Sequence, residues 1–226
     1  YPSLQKSLQE LIKNKLTTVQ RLDLSNDYIC NGYTLKGVLK SDMENIRATM
    51  EKINYSTFED VVNNIFEAKR IYIIGLRSSM ALAEFLGFYL NVILQNVKTV
   101  GYGISDIFEE MINIGEGDLV IGIGFPRYAN RTIDVLSFAQ DRGATIVALT
   151  DSIISPLAQR ADYALIVQSN MASFVDSLVA PLSVINALLI AVGLRQKESV
   201  STTFNSLEEI WKEYNVYSYN HNNDEF

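Results

Sequence analysis

The feature that most constrains this chain is a change of hydrophobic period at residue 71. From there to residue 167, short β-rich apolar runs alternate with helical segments. The runs are Ile71 to Ile74, Val97 to Val100, Leu119 to Ile123, Thr145 to Leu149 and Tyr163 to Val167, and they predict about five strands. None alternates strictly between apolar and polar residues, so both faces of the sheet should be covered. Helices between consecutive strands make those strands parallel, with right-handed crossovers. The expectation for residues 55–195 is therefore a three-layer α/β/α sandwich.

Between the strands, Leu82, Phe85, Leu86, Tyr89, Leu90 and Ile93 form one helical face, Ile107 to Ile112 a shorter one, and Ile133, Leu136 and Ala139 a third. Ahead of the sheet, Leu4, Leu8, Leu11 and Ile12 predict an amphipathic helix within residues 1–16, with Pro2 at its start. Residues 17–33 hold Asn26, Asp27, Asn31 and Gly32 and read as a connector. Over residues 34–54 the set Leu39, Met43, Ile46, Met50 and Ile53 steps by 4, 3, 4 and 3, the spacing of a seam between helices. That seam serves either a partner helix, making 17–54 a connector and dimerisation helix, or packing on the same subunit. Ser56 is placed as the N-cap of the next helix, with Glu59 at the capping-box position and Phe58, Val61, Val62, Ile65 and Phe66 as its core face. Beyond the sheet, a helix from Ser177 to Val192 ends at Gly193, another runs from Ser199 to Tyr214 within residues 196–214, and residues 215–226 form a polar tail.

Charge narrows the partners. Lys plus Arg is 19 and Asp plus Glu is 26, so the net charge of 19 − 26 = −7 sets the chain as a whole against a phosphate backbone or an anionic membrane. A single cysteine, Cys30, excludes an intramolecular disulfide and any multi-cysteine zinc site, which fits a reducing cytoplasm. No metal site, cofactor or membrane partner is expected. Leu178 to Leu194 reaches membrane-span length but contains Pro181, Ser183 and Asn186, and it reads as the buried helix of a folded domain. Residue 1 is Tyr, with no basic segment leading into an apolar one, so the expectation is that further chain precedes it.

In an open parallel sheet, ligands bind beyond the carboxyl ends of the strands, so the segments after each strand are where chemistry should sit. After the first, Gly75, Leu76, Arg77, Ser78 and Ser79 put two hydroxyls at a helix start, which suits a phosphate, with an ordinary Ser N-cap as the plainer alternative. After the third, Gly124 to Thr132 carries Arg127, able to pair bidentately with phosphate or carboxylate, or simply a surface arginine in a turn. After the fourth, Thr150, Asp151, Ser152 and Ser155 lead to Pro156 and another expected helix start. Asp151 suits sugar hydroxyls better than phosphate, since two anions repel, or else serves as an N-cap.

At these residues the sequence resembles the sugar isomerase (SIS) domain, and more closely the effector domain of RpiR-family transcriptional regulators. The resemblance runs from Gly75 to Ala191 through GLRSSMALA, IGIGFPRYANRT, RGATIVALTDSIISPLAQRADYALIV and SFVDSLVAPLSVINALL. It implies a flavodoxin-like sheet that binds a phosphosugar or related metabolite. Ser78 and Ser79 carry over as phosphate-binding hydroxyls, Thr150, Asp151 and Ser152 line the sugar side, and Phe174, Asp176 and Ser177 are neighbours. YPSLQKSLQELI resembles the end of the helix-turn-helix domain of such regulators, which implies that operator DNA is met through a domain before residue 1.

The chain also departs from the SIS pattern. Its third post-strand loop has Gly124, Pro126, Arg127 and Ala129 where hydroxyls are usual, so Arg127 is the substitute phosphate ligand. Aldose-ketose isomerases of this group use a Glu and a His after the second strand; here that segment reads Gly103, Ile104, Ser105, Asp106, Ile107, Phe108, Glu109, Glu110, and the one histidine, His221, is in the tail. Glu84, Glu109 and Glu110 are the remaining candidate bases. The expected function is a metabolite-sensing domain of a regulator of carbohydrate metabolism, a homodimer or higher oligomer without turnover. The alternatives are a phosphosugar isomerase or amine-transfer enzyme, and a scaffold without ligand.

Overall fold

A computed structural model describes residues 17–22, 34–101, 106–171 and 173–218. Its centre is a five-stranded parallel sheet of β1 (Ile71–Gly75), β2 (Val97–Val100), β3 (Leu119–Ile123), β4 (Thr145–Thr150) and β5 (Tyr163–Ile166), in the order β2-β1-β3-β4-β5. Around it lie α1 (Thr34–Lys52), α2 (Tyr55–Glu67), α3 (Met80–Leu94), α4 (Ile107–Glu110), α5 (Asn130–Gln140), α6 (Val179–Arg195) and α7 (Lys197–Glu213).

Successive side chains of a strand point to opposite faces, and here both sets are apolar. Ile71, Ile73, Leu119, Ile121, Val147, Leu149 and Leu165 pack against Val61 and Ile65 of α2, Leu82, Leu86 and Leu90 of α3, and Ile185 and Leu188 of α6. Tyr72, Ile74, Val120, Ile146 and Ala148 meet Ile107 of α4 and Val135, Leu136 and Ala139 of α5. Two cores on one sheet are the expected three layers. Each fully buried Ile, Leu or Val contributes about 1.5 to 3 kcal/mol.

Several boundaries differ from the expectations. The cap of α2 is Asn54, whose side chain accepts the Thr57 N–H at 3.1 Å, and not Ser56. Glu59, moved out of the capping position, instead meets Arg195 of α6 at 2.5 Å. α6 begins at Val179 and runs through Gly193 to Arg195, because helical packing outweighs the cost of one interior glycine, about 1 kcal/mol. The helix expected to Ile112 stops at Glu110. The connector contains a helical turn over residues 18–22. Among the described residues no single helix is long and apolar enough to cross a membrane. The first predicted helix, Cys30, Gly103 to Ser105 and His221 lie outside the described residues.

α1 has an inverted arrangement. Its polar Asn45 and Thr49 are buried, at 2% and 5% exposure. The Asn45 amide donates to the Asn170 carbonyl at 2.8 Å and accepts the Asn170 N–H at 3.1 Å, while Thr49 Oγ1 accepts the Gln168 N–H at 2.9 Å. Leu35, Leu39, Met43 and Met50 are exposed.

Candidate functional site

Strand register gathers the candidate loops. Gly75 pairs with Ile123 and Ile123 with Leu149, so the chain leaves β1, β3 and β4 at one level of the sheet. The order reverses between β1 and β3: β2 lies outside β1, and the next strands build on the other side. Such a reversal opens a crevice beyond the carboxyl ends of the strands.

At β1 the turn is tight enough to require Gly75. A Cβ there would lie 2.6 Å from the Ser79 carbonyl oxygen, which is backbone and has no easy retreat. The chain then makes a 3₁₀ turn over Arg77–Ser79 before α3. Ser79 holds the N-cap position of α3, yet its side chain makes no capping hydrogen bond, which disfavours the plain N-cap alternative. Ser79 is buried, whereas Ser78 is exposed and donates to Asp176 Oδ2 at 3.1 Å.

Arg77 in the loop after β1 and Arg127 in the loop after β3 share an unusual backbone, with φ of +58° and +68°. A non-glycine residue in this region costs about 1 to 3 kcal/mol, and such residues concentrate at functional sites. Arg127 Nη1 donates to Thr18 Oγ1 at 2.6 Å, so its loop is bridged to the helical turn over residues 18–22. The next residue, Tyr128, donates its hydroxyl to Asp151 Oδ1 at 2.7 Å. Burial, reinforced by that hydrogen bond and by the Asp151 charge, pushes the phenol well above the ordinary tyrosine range.

The third loop divides into two parts. Thr150 belongs to β4 itself and is fully buried; its hydroxyl donates to Ser155 Oγ at 3.1 Å. Ser155 accepts the Ala158 N–H at 3.0 Å, and the chain makes only a 3₁₀ turn over Ala158–Arg160 where an α-helix was expected. Asp151 and Ser152 are half-buried on the rim, and Ser152 Oγ accepts the Ile154 N–H at 3.3 Å.

Asp176 and Ser177 face different partners. Asp176 meets Ser78 and, at 3.9 Å, Nη1 of Arg21, while Ser177 donates to Asp42 Oδ1 of α1 at 2.6 Å. Phe174 is exposed beside them in sequence. Sequence reasoning missed Arg21, which stands in an aperiodic connector, and Tyr128, whose partner is 23 residues away.

Two of the three candidate bases are otherwise occupied. Glu109 Oε2 accepts the Asp106 N–H at 3.2 Å in a capping box at the start of α4, and Arg131 pairs with Asp106. Glu110 pairs with Lys98 at 3.1 Å. Glu84 is exposed on α3 and lines a groove between that helix and β2.

Comparison with known proteins follows the same outline. The SIS domain model matches residues 64–191. An uncharacterized HTH-type transcriptional regulator of Haemophilus influenzae is 29% identical over 142 residues, 63% of this chain and 48% of the relative, so the chain spans about half of that protein. Among solved structures, the sugar isomerase domain of an RpiR transcription factor from Sphaerobacter thermophilus is 29% identical with a TM-score of 0.75, covering 78% of this chain and 99% of that one. The Vibrio vulnificus NanR protein complexed with ManNAc-6P is 18% identical with a TM-score of 0.69, covering 88% and 76%, a likeness of fold.

Proposed function

This chain belongs to the SIS domain family, and we propose that it is the effector-binding part of a transcriptional regulator of carbohydrate metabolism, taking a phosphosugar without converting it. The observation that carries the reading is Ser79: a buried serine at the N-cap of α3 that spends no hydrogen bond on the cap, beside Ser78 and at the reversal of strand order. Backbone N–H groups at a helix start favour an anion. Ser78, Ser79, Arg77 and Arg127 take the phosphate, and Asp151 and Ser152 take sugar hydroxyls, with the buried Thr150 and Ser155 fixing the loop that carries them. That NanR is complexed with ManNAc-6P supports a ligand of this class.

The reading without turnover is supported by the engagement of two of the three candidate bases. Isomerisation between adjacent sugar carbons needs a positioned base. Glu109 is engaged in a helix cap and Glu110 in an ion pair with Lys98. The relatives named as regulators favour the same reading. A sensor works by having different affinity for its ligand in two arrangements of the molecule. Asp176 on the crevice side and Ser177 on the α1 side give a short path from ligand to α1. The exposed seam of α1 then joins two copies, operator DNA is met through a helix-turn-helix domain ahead of this chain, and the regulator works in the cytoplasm.

The test compares operator affinity of the full-length regulator with and without each member of a sugar-phosphate panel, while assaying for isomerisation. Effector-dependent operator binding without conversion is the expected result. Steady conversion lost in Glu109→Gln or Glu110→Gln overturns it in favour of an isomerase.

A further inference from the structure

The segment that follows β5 puts its polar and its apolar side chains to opposite uses. It leaves beside β4, where the Val167 N–H donates to the Thr150 carbonyl at 2.8 Å, and by Asp176 it has reached the Ser78 hydroxyl beyond β1, at 3.1 Å. With neighbouring strands about 4.8 Å apart, the three spacings from β5 to β1 carry it about 14 Å across the carboxyl end of the sheet. Its backbone at Gln168 and Asn170 and the hydroxyl of Ser177 are held by α1.

Phe174 and Val175 of the same segment are left outward, 51% and 62% exposed. Successive Cα atoms are about 3.8 Å apart, so both Cα atoms lie within about 8 Å of that of Asp176, beside the phosphate end of the crevice. On the neighbouring loop after β4, Ile153 and Ile154 follow Asp151 and Ser152 and are 67% and 62% exposed. Large apolar side chains on the ligand-end loops, with a few polar groups among them, make the lining of a small-molecule site. A sugar phosphate matches that division. Its hydroxyls lie around the edge of the ring, while the C–H groups of its faces pack as apolar surface against an aromatic ring or a methyl group.

We propose that Phe174 and Val175 form an apolar wall of the effector crevice that takes a C–H face of the sugar ring. The inference rests on the effector reading of the same crevice and adds a contact that depends on which sugar is bound. Ser78 and Ser79 meet the phosphate of every such compound alike. The wall instead favours a ring that turns its hydroxyls away from it, or carries an apolar substituent on that face, and so sets specificity.

Two probes separate the wall from the phosphate end: inorganic phosphate, and the sugar phosphate that gives the largest thermal shift in a panel. The sugar phosphate is titrated by calorimetry at constant ionic strength, and phosphate is read by competition against it. Phe174→Ala should lower sugar-phosphate affinity about tenfold or more and leave phosphate affinity within about twofold, with Phe174→Leu losing less. In the parent protein, the sugar phosphate should bind with a more negative heat-capacity change than phosphate, the mark of apolar surface covered. Parent-like affinity for both probes in Phe174→Ala, or an equal loss for both, overturns the wall and leaves the effector site standing. Failure of either probe to bind the parent overturns both readings. Should Phe174→Ala fail to fold, equal heat-capacity changes for the two probes in the parent still overturn the inference.

Discussion

The Tyr128 hydroxyl and Asp151 Oδ1 lie 2.7 Å apart and tie the loop after β3 to the loop after β4. The tie depends on a neutral phenol. An unfolded tyrosine ionises near pH 10, about its ordinary value, while the folded Tyr128 holds its proton to higher pH, chiefly through burial. Above pH ~10 the folded state therefore binds more protons than the unfolded one, and stability falls as pH rises. Below that range this group contributes no pH dependence. Tyr128→Phe should cost about 1 kcal/mol near neutrality, the net worth of a hydrogen bond, and flatten the decline. Urea unfolding of parent and variant between about pH 8 and 11 checks both.

At the phosphate end, Ser79→Ala should weaken sugar-phosphate binding by about 0.5 to 3 kcal/mol with little loss of fold, because the side chain makes no capping bond. Calorimetry against the panel compound that gives the largest thermal shift measures it. Ser78→Ala should weaken binding less, since that hydroxyl is exposed and already donates to Asp176. Parent-like affinity in both would move the phosphate toward Arg127.

For assembly, Met43 is 69% exposed and Ile46 38%, on a helix whose opposite face is already seated. Replacing both with Asp should weaken the dimer at least a hundredfold, about 3 kcal/mol, while leaving the sheet intact. Sedimentation equilibrium and circular dichroism separate the two effects. A parent protein that is monomeric at micromolar concentration contradicts the seam.

On the seated face, Asn45→Ala leaves the Asn170 N–H and carbonyl without their partner. The expected loss is about 1 to 3 kcal/mol. Asn45→Asp restores only the acceptor and should recover part of it. Thermal unfolding of the three proteins ranks them.

The sheet was legible because its strands are apolar on both faces; all five start where expected and end within one residue of expectation. Short-range signals were less secure. Ser56 was placed as the cap, whereas the side chain that reaches an N–H is that of Asn54, a matter of backbone direction. In the candidate site, the loop residues were picked by their place after strands. Their division of labour was not, since Thr150 and Ser155 are drawn inward to each other and Asp151 stays on the rim. The approach of Arg21 to Asp176 left no trace because residues more than 100 positions apart share no local pattern.

The seat of α1 has a consequence for how that helix can change position. A helix held by greasy area can slide by fractions of a turn at little cost, since one methyl contact replaces another. Asp42, Asn45 and Thr49 are instead fastened to Ser177, Asn170 and Gln168 by bonds that exist at one alignment and fail within about an ångström of it. The helix is therefore indexed like a key, and any rearrangement of it proceeds in steps, with the outward residues free to vary without disturbing the notch.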